Sequence, residues 1–451
     1  MKKTIIASIL LAAVPVVAKS QQVSFSGGSK AVFEETPAAS TGLDKIYVIY
    51  DSDGVSMNYV QHGSGTTVTW YTYDERGGGY AEVLPNVERV DASTTRLPQV
   101  MANCGYIIEE GTDRTYLWVV DYSDYMLTLG NIGFDPQRDC GTTRLYVGGS
   151  GGAITYYTIN GVPQNLDRGL TLTYRTLEWN DSNMTWDEIP VEENIETFSS
   201  SVAVPAPYCN TEFTLHGDRF LRFWGMEESV TSDTYLTSAV AVESAAIQEG
   251  ESPDNEKGGG DETGEMLGGS APVTITFSAY GTDAMVHNEW QMSRDQGFNN
   301  IDSRFYQSEV TQTFNEGGTF YFRFYGADSS GECVAIGETY TVFIGESSLE
   351  CPNAFSPQAS VGINDEWKVS YRSIVEFNCW IFNRWGAEVC HLTDPSQGWD
   401  GKYKGKYVKP GTYFYVIEAR GSDGVEYNLK GDINILNYTG TGSHGMSGAT
   451  E

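Results

Sequence analysis

Hydrophobic and polar residues alternate along short segments of this chain, and glycine-rich breaks separate the segments. In Val273-Thr-Ile-Thr-Phe-Ser-Ala279, the residues Val273, Ile275, Phe277 and Ala279 share one face. Phe320, Phe322 and Phe324 do the same within 319–325, and Tyr340, Val342 and Ile344 make a third apolar face. Successive side chains of a strand point to opposite sides, so this period predicts half-buried antiparallel strands. Two sheets packed face to face bury such apolar sides, and a β-sandwich is the predicted unit over 273–347.

Trp290 falls early in that unit, where immunoglobulin-like sandwiches keep a core tryptophan. Upstream, 23–245 reads as two similar units. Tyr47-Val48 leads through Asp51-Ser-Asp-Gly54 into a run at 55–59, and 99 residues later Tyr146-Val147 leads through a glycine-rich turn into a run at 153–157. A period near that length fits one sandwich per repeat. Asn160-Gly161 marks a tight hairpin turn. Between the second and third units, 248–272 carries seven Gly, seven acids and no aromatic residue. Such a stretch buries too little surface to fold and is expected to be a flexible spacer. From Glu350 onward turn signals are dense, and Tyr413, Tyr415, Ile417 and Ala419 alternate with Phe414, Val416 and Glu418.

The predicted fold class is therefore all-β: tandem immunoglobulin-like sandwiches ending in a small C-terminal sandwich. The predicted order is a signal peptide at 1–20, sandwiches at 21–125 and 126–247, the linker at 248–272, an Ig-like domain at 273–347, a C-terminal domain at 348–438 and a tail at 439–451.

Charge narrows the function. The 28 Lys+Arg and 60 Asp+Glu leave a net −32, which repels phosphate backbones and argues against nucleic-acid partners. Met1-Lys2-Lys3 precedes an apolar run from Ile5 to Val17, and Ala18 and Ser20 occupy the small-residue positions of a cleavage site. This pattern predicts a secretory signal peptide. No later segment is predicted to span a membrane as a helix.

Exported chains meet oxidising conditions, so the seven cysteines are expected to pair with one left over. Cys379 and Cys390 flank the Asn383–Gly386 turn symmetrically, and a two-residue loop at Arg384-Trp385 would set them directly opposite. Cys333 with Cys351 would staple the third domain to the fourth. Cys140 and Cys209 share the second domain, which leaves Cys104 free.

Catalytic signals are few, and the protein is not expected to be an enzyme or to hold a cofactor or metal. Gly148-Gly-Ser150-Gly-Gly152 fits the nucleophile-elbow spacing, but that motif needs a helix after the serine, whereas 153–157 reads as a strand. Asp51-Ser-Asp-Gly54 has the alternation of a calcium loop without the rest of one. Trp70-Tyr-Thr-Tyr73 could stack on sugar rings, although aromatic residues in β-rich chains are mostly core.

The C-terminal quarter resembles a known family. Pro352-Asn353-Ala-Phe355-Ser-Pro357, Gly362-Ile-Asn-Asp365, Ile381-Phe-Asn383-Arg384-Trp385-Gly386, Trp399-Asp400-Gly401-Lys402, Pro410-Gly411-Thr-Tyr-Phe-Tyr415 and Gly431-Asp-Ile-Asn434 follow one another with the spacing of the gliding motility-associated C-terminal domain. That family is also called the type B sorting domain of type IX secretion in Bacteroidetes. The resemblance covers about 350–438. It implies a surface or secreted protein whose last domain is read by outer-membrane secretion and anchoring machinery.

Residues 348–451 hold 9 Lys+Arg and 12 acids, net −3, whereas 21–347 hold 16 and 48, net −32. Lys402, Lys404, Lys406 and Lys409 cluster after the Trp399-Asp400-Gly401 turn. They are either a solvated strand edge that guards against pairing or a docking face for an acidic envelope partner. The leading expectation is an exported, non-catalytic, modular surface protein with Ig-like interaction modules. A glycan-binding surface module and a hydrolase are the alternatives.

Overall fold

The computed structural model describes residues 22–63, 66–135, 139–250, 253–257, 267–357 and 364–436. The predicted signal peptide, the tail and Gly362-Ile363 of the sorting motif lie outside them. Among the described residues the fold is all-β, in four sandwich-like units with one short α-helix.

The first unit faces a four-stranded sheet (Val23–Ser26, Ser56–Val60, Thr94–Leu97, Glu88–Arg89) against a six-stranded one. In the larger sheet Lys45–Ile49 runs parallel to the end of Asp113–Asp121. Tyr47, Ile49, Leu117 and Val119 point into the first core, with Met57, Tyr59 and Trp70. Ile46, Val48, Trp118 and Val120 point the other way, into a core shared with the second unit. A sheet buried on both faces needs apolar residues at every position, which is why Lys45-Ile-Tyr-Val-Ile49 and Leu117-Trp-Val-Val120 do not alternate. The two N-terminal units are thus fused through a common core and are not independent tandem repeats.

In the second unit, Thr128–Phe134, Thr142–Ser150 and Ser201–Pro205 form one sheet, and Thr185–Ile195, Leu170–Asn180, Thr214–His216 and Ser229–Thr231 the other. Its hairpin Ile154–Tyr157 with Pro163–Leu166 leans on the first unit. Gly78 N donates to Ile159 O at 2.8 Å, and Ile159 N to Thr41 O at 3.1 Å. Here two turns meet backbone to backbone: a Cβ on Gly77, at φ +90°, would lie 2.6 Å from Gly161 N.

At the centre of this joint is an ion pair with no solvent exposure on either side chain, Arg168 with Asp218. Arg168 Nη2 and Nε donate to Asp218 Oδ2 at 2.6 and 2.9 Å, Nη1 to Gly152 O at 2.7 Å, and Nη2 to Tyr125 O at 2.9 Å. Tyr122 Oη donates to the same carboxylate at 3.0 Å. Asp218 also caps the helix Arg219–Phe223, its Oδ1 accepting Leu221 N.

The third unit begins earlier than the sequence suggests. Val242–Gln248 pairs antiparallel with Val273–Gly281, and Leu267–Gly269 pairs parallel with Val334–Ile344. Both flanks of the predicted linker are therefore strands of this sandwich, one in each sheet. The acidic stretch is an insertion within the unit, not a spacer ahead of it. Val242 and Ala246 pack against the core of Ile275, Phe277, Trp290, Phe322 and Val342, and this burial overrides the polar composition that follows. Phe277 stacks on Phe322 at 4.1 Å, and Trp290 Nε1 donates to Ser308 O.

Cysteine pairing departs from expectation. The disulfide is Cys140–Cys333, with Cα atoms 5.3 Å apart, and it joins the second unit to the third. Trp186 Nε1 donates to Tyr280 O at 2.9 Å across the same junction. Cys209, Cys351, Cys379, Cys390 and Cys104 are free thiols, so none of the three predicted pairs forms. The hairpin after Ile374–Phe382 explains one of them. Its loop is the three residues Arg384-Trp385-Gly386, closed by Asn383 N donating to Ala387 O, with Gly386 at φ +81°. A bulge on the return strand adds a further shift, so Cys379 faces Leu392 and Cys390 faces Ile381.

In the fourth unit a five-stranded sheet (Ala354–Phe355, Glu426–Ile435, Gly411–Gly421, Ile374–Phe382, Glu388–Leu392) packs on Trp367, Trp399 and the pair Ser348–Glu350 with Ser370–Arg372. It meets the third unit through Gly317 N to Ser422 O at 2.9 Å, Ser373 N to Ser270 Oγ at 2.7 Å and Ser347 Oγ to Asp423 Oδ1 at 2.7 Å.

Two measurements test this account. Asp218→Ala leaves a buried guanidinium without its counter-charge, and we expect a loss of roughly 3–5 kcal/mol, read as a lower urea midpoint at which the first two units unfold together. An unchanged midpoint would show that the pair does not hold the joint. Glu110 is buried and accepts His62 N, Gly63 N, Thr66 Oγ1 and Tyr59 Oη at 2.9–3.2 Å. Burial alone would raise its pKa, but these donors outweigh it and bring the carboxyl down to about 2. The folded value lies below the ordinary 4.5, so the ionised group stabilises the fold above that pH. The contribution is lost as pH falls from there towards 2. Glu110→Gln should flatten thermal stability across that window, and an undiminished pH slope would contradict the assignment.

Candidate functional site

The sorting-motif residues divide into a buried set and an exposed set. Trp367 Nε1 donates to Pro352 O at 2.7 Å, and Asn434 N to Asn353 O at 2.9 Å, which fixes the strand Ala354–Phe355 beside the last strand. Phe355 packs on the buried Trp399 ring at 5.5 Å, and Trp399 on Tyr413 at 5.3 Å. Trp399 Nε1 donates to Lys402 O at 3.0 Å, which folds the Trp399-Asp400-Gly401 turn back on itself. Gly401 has φ +74°, and a Cβ there would meet Pro357 Cγ at 3.0 Å and Phe355 Cζ at 3.3 Å. Both the conformation and the space require glycine. Burial opposes ionisation of Asp400, yet Lys402, through its backbone N–H at 3.0 Å and Nζ at 2.7 Å, holds the carboxyl below its usual range. Lys402 is thus committed within the turn.

The exposed set lies at the hairpin tip. Asn383 Oδ1 accepts the amides of Trp385 and Ala387, each at 3.0 Å, and this clamps the loop. Trp385 is 76% exposed, and the Arg384 guanidinium lies 4.2 Å from its ring centroid. Beside them opens a cleft of about 280 Å³ whose lining includes Val389, Tyr403, Lys409, Pro410 and Tyr413. Gly411 begins the strand at its floor, and Tyr413 Oη donates to Lys409 O at 3.0 Å. Lys404 and Lys406 are exposed on the adjoining ribbon of Lys402–Tyr403 and Lys406–Tyr407. Lys404 Nζ lies 5.2 Å from the Tyr403 ring centroid. This end of the domain combines open aromatic faces with cations, a chemistry suited to an anionic partner surface. Tyr403 and Val389 were not singled out from sequence, where they look like ordinary strand residues, and Tyr413 was read only as a strand and motif position.

Other sequence candidates lie apart from it. Trp70 and Tyr73 are buried in the two cores on either side of their sheet, and Tyr71 is half-buried against one of them, so this cluster serves chiefly as core. Ser150 ends the strand Thr142–Ser150, its hydroxyl bonded to Thr128 Oγ1 at 2.8 Å, and the next element is a strand. Asp51 Oδ1 accepts Asp53 N at 2.9 Å within a tight turn. Burial first, and then the neighbouring Cys351 and Cys390, push the Cys379 thiol up to about 12, far from nucleophilic thiolate character.

Residues 349–435 match the sequence profile of the type IX secretion signal domain, and residues 133–232 that of a fibronectin type III domain. No curated protein matches the chain. Among solved structures, a tetra-tandem repeat from the extending region of a large adhesion protein is 9% identical, covering 86% of this chain and 96% of that one, with TM-score 0.22. Immunoglobulin domains 1–5 of Sidekick-1 are 9% identical over 87% of this chain and 79% of that one, with TM-score 0.25. Three N-terminal domains of the bacteriophage RB49 outer capsid protein Hoc are 10% identical over 69% of this chain and all of that one, with TM-score 0.21. The C-terminal signal domain marks the protein for export to the cell surface or medium and for contact with the secretion machinery. Among the described residues no helix is long and apolar enough to cross a membrane.

The two sets should separate experimentally. Trp399→Ala removes a buried ring and should cost the C-terminal domain about 3–5 kcal/mol, whereas Trp385→Ala should stay within about 0.5 kcal/mol. Thermal unfolding of the two variants decides it, and equal losses would refute the division.

Proposed function

We propose that this protein is a non-catalytic surface protein. Its first three sandwiches are the displayed interaction portion, and its C-terminal domain is the address and docking module. The observation that carries the reading is a type IX secretion signal domain following three sandwiches on one exported chain. The joints support it: a fused core, a disulfide and a hydrogen-bonded seam suit presentation of a surface better than opening and closing around a substrate. Charge supports a division of labour as well. The displayed portion repels an anionic envelope, while Arg384, Lys404, Lys406 and Lys409 at the far end attract an acidic partner there.

Deleting 348–451 should leave a folded, exported fragment that stays inaccessible to protease on intact cells, while the full chain is cleaved. A truncated chain that reaches the surface as well as the full one would reduce the last unit to another structural sandwich. With the full chain, Arg384→Glu combined with Lys409→Glu should lower surface accessibility without changing the melting temperature. Normal accessibility of that variant would remove the cleft from the docking role.

A further inference from the structure

The acidic insertion does not only connect two strands of the third sandwich. It leaves after Val242–Gln248 and re-enters at Leu267–Gly269, and its described residues 253–257 lie along the strand Ser370–Arg372 of the C-terminal domain. That strand pairs with Ser348–Glu350 on one side. On its other side Glu256 bridges Tyr371 in parallel. Tyr371 N donates to Asn255 O at 3.1 Å, and Lys257 N donates to Tyr371 O at 2.6 Å. Asn255 Nδ2 reaches two further carbonyls, Val369 O and Pro395 O, each at 2.8 Å. Two ion pairs flank the contact, Lys368 with Asp254 at 3.3 Å and Lys257 with Glu350 at 2.6 Å. A cleft of about 350 Å³ adjoins it, with Tyr371, Ile374, Phe377 and Pro395 in its wall.

An uncovered strand edge presents a row of unpaired N–H and C=O groups that accepts another extended chain. Here the covering segment has no aromatic and no branched aliphatic residue, so little apolar burial holds it. Its bonds are chiefly to backbone groups, which any extended strand can supply, and exposed ion pairs add little. Segments held in this way occupy the low end of local stability. We propose that residues 253–257 are a detachable strand cap, and that the edge they cover accepts the same segment supplied in trans by a second copy of this chain, paired parallel to Ser370–Arg372 as the cap itself is. An asparagine in the Asn255 position would bridge Val369 O and Pro395 O and fix the register of that segment. This is recognition by strand addition, and it is independent of the route by which the protein is exported.

The test uses the full chain and a variant in which 253–257 is replaced by five Gly/Ser residues, so that the insertion keeps its length. Tyr371 N–H donates to Asn255 O of the cap, so its hydrogen exchange should speed by about tenfold or more in the variant. A labelled synthetic peptide of residues 249–262 should bind the variant, restore protection of Tyr371, and bind the unaltered chain at least about tenfold more weakly, because the resident cap must first leave. The same peptide carrying Asn255→Ala should bind about tenfold more weakly, because two carbonyls lose their donor. Asn255→Ala in the intact chain, which disturbs least, should by itself raise Tyr371 exchange. Unchanged exchange in both variants, or peptide binding equally to capped and uncapped chains, would overturn the proposal.

Discussion

A guanidinium sealed away from water organises the first half of the molecule. Removing such a group from solvent costs several kcal/mol, and the cost is offset only when counter-charge and hydrogen bonds are well placed. Arg168 meets that demand with Asp218, Gly152 O and Tyr125 O, while Tyr122 Oη completes the carboxylate. These partners come from the end of the first unit, from one loop of the second and from the cap of its helix. Apolar burial is non-directional, whereas the planar fork of arginine has fixed directions. The shared core supplies the attraction between the two sheets, and the ion pair states where each must sit. The loss of alternation in Lys45–Ile49 follows from the same arrangement, since that strand has no wet face.

The remaining joints use different physics. Between the second and third units a covalent bond and an indole N–H do the holding. Between the third and fourth the seam is made of serine hydroxyls, backbone amides and the Asp423 carboxylate, with an insertion laid across one edge. The joints thus differ in kind along the chain, from a shared apolar core, through a covalent bond, to a hydrogen-bonded seam in which Ser373 and Ala271 are buried.

Strands with one wet face were legible in the sequence. At 273–279 and in the phenylalanine series ending at Phe324 the period-two pattern is read directly, because one side meets solvent. The sorting motif was legible for a related reason: Gly401, Gly386 and Trp399 are dictated by local turn geometry and by a ring packed a few residues away. What escaped was decided at long range. Cys140 and Cys333 lie in different units, 193 residues apart, and nothing near either one points to the other. The Cys379–Cys390 expectation failed on two local details, a three-residue loop where two were assumed and a bulge at Val389. The insertion was read as a spacer because composition reports burial potential, whereas its residues 255–257 are placed by backbone hydrogen bonds, to which composition is blind. The cleft near Trp385 was half legible: its cations and its indole stood out, while Tyr403 and Tyr413 acquired meaning only once the hairpin tip folded over them.

The Cys140–Cys333 bond has a mechanical meaning. When the chain is pulled from its ends, tension entering at Cys140 crosses the sulfur bridge to Cys333 and bypasses everything between. The chain between the two cysteines, a sequence separation of 193, carries no load, and roughly 650 Å of contour length is withheld from extension at 3.3–3.6 Å per residue. Most of the second unit and nearly all strands of the third are therefore shielded from force, while the first unit and the C-terminal domain stay in the load path. Reduction of one bond would convert a short, stiff tether into a long, compliant one.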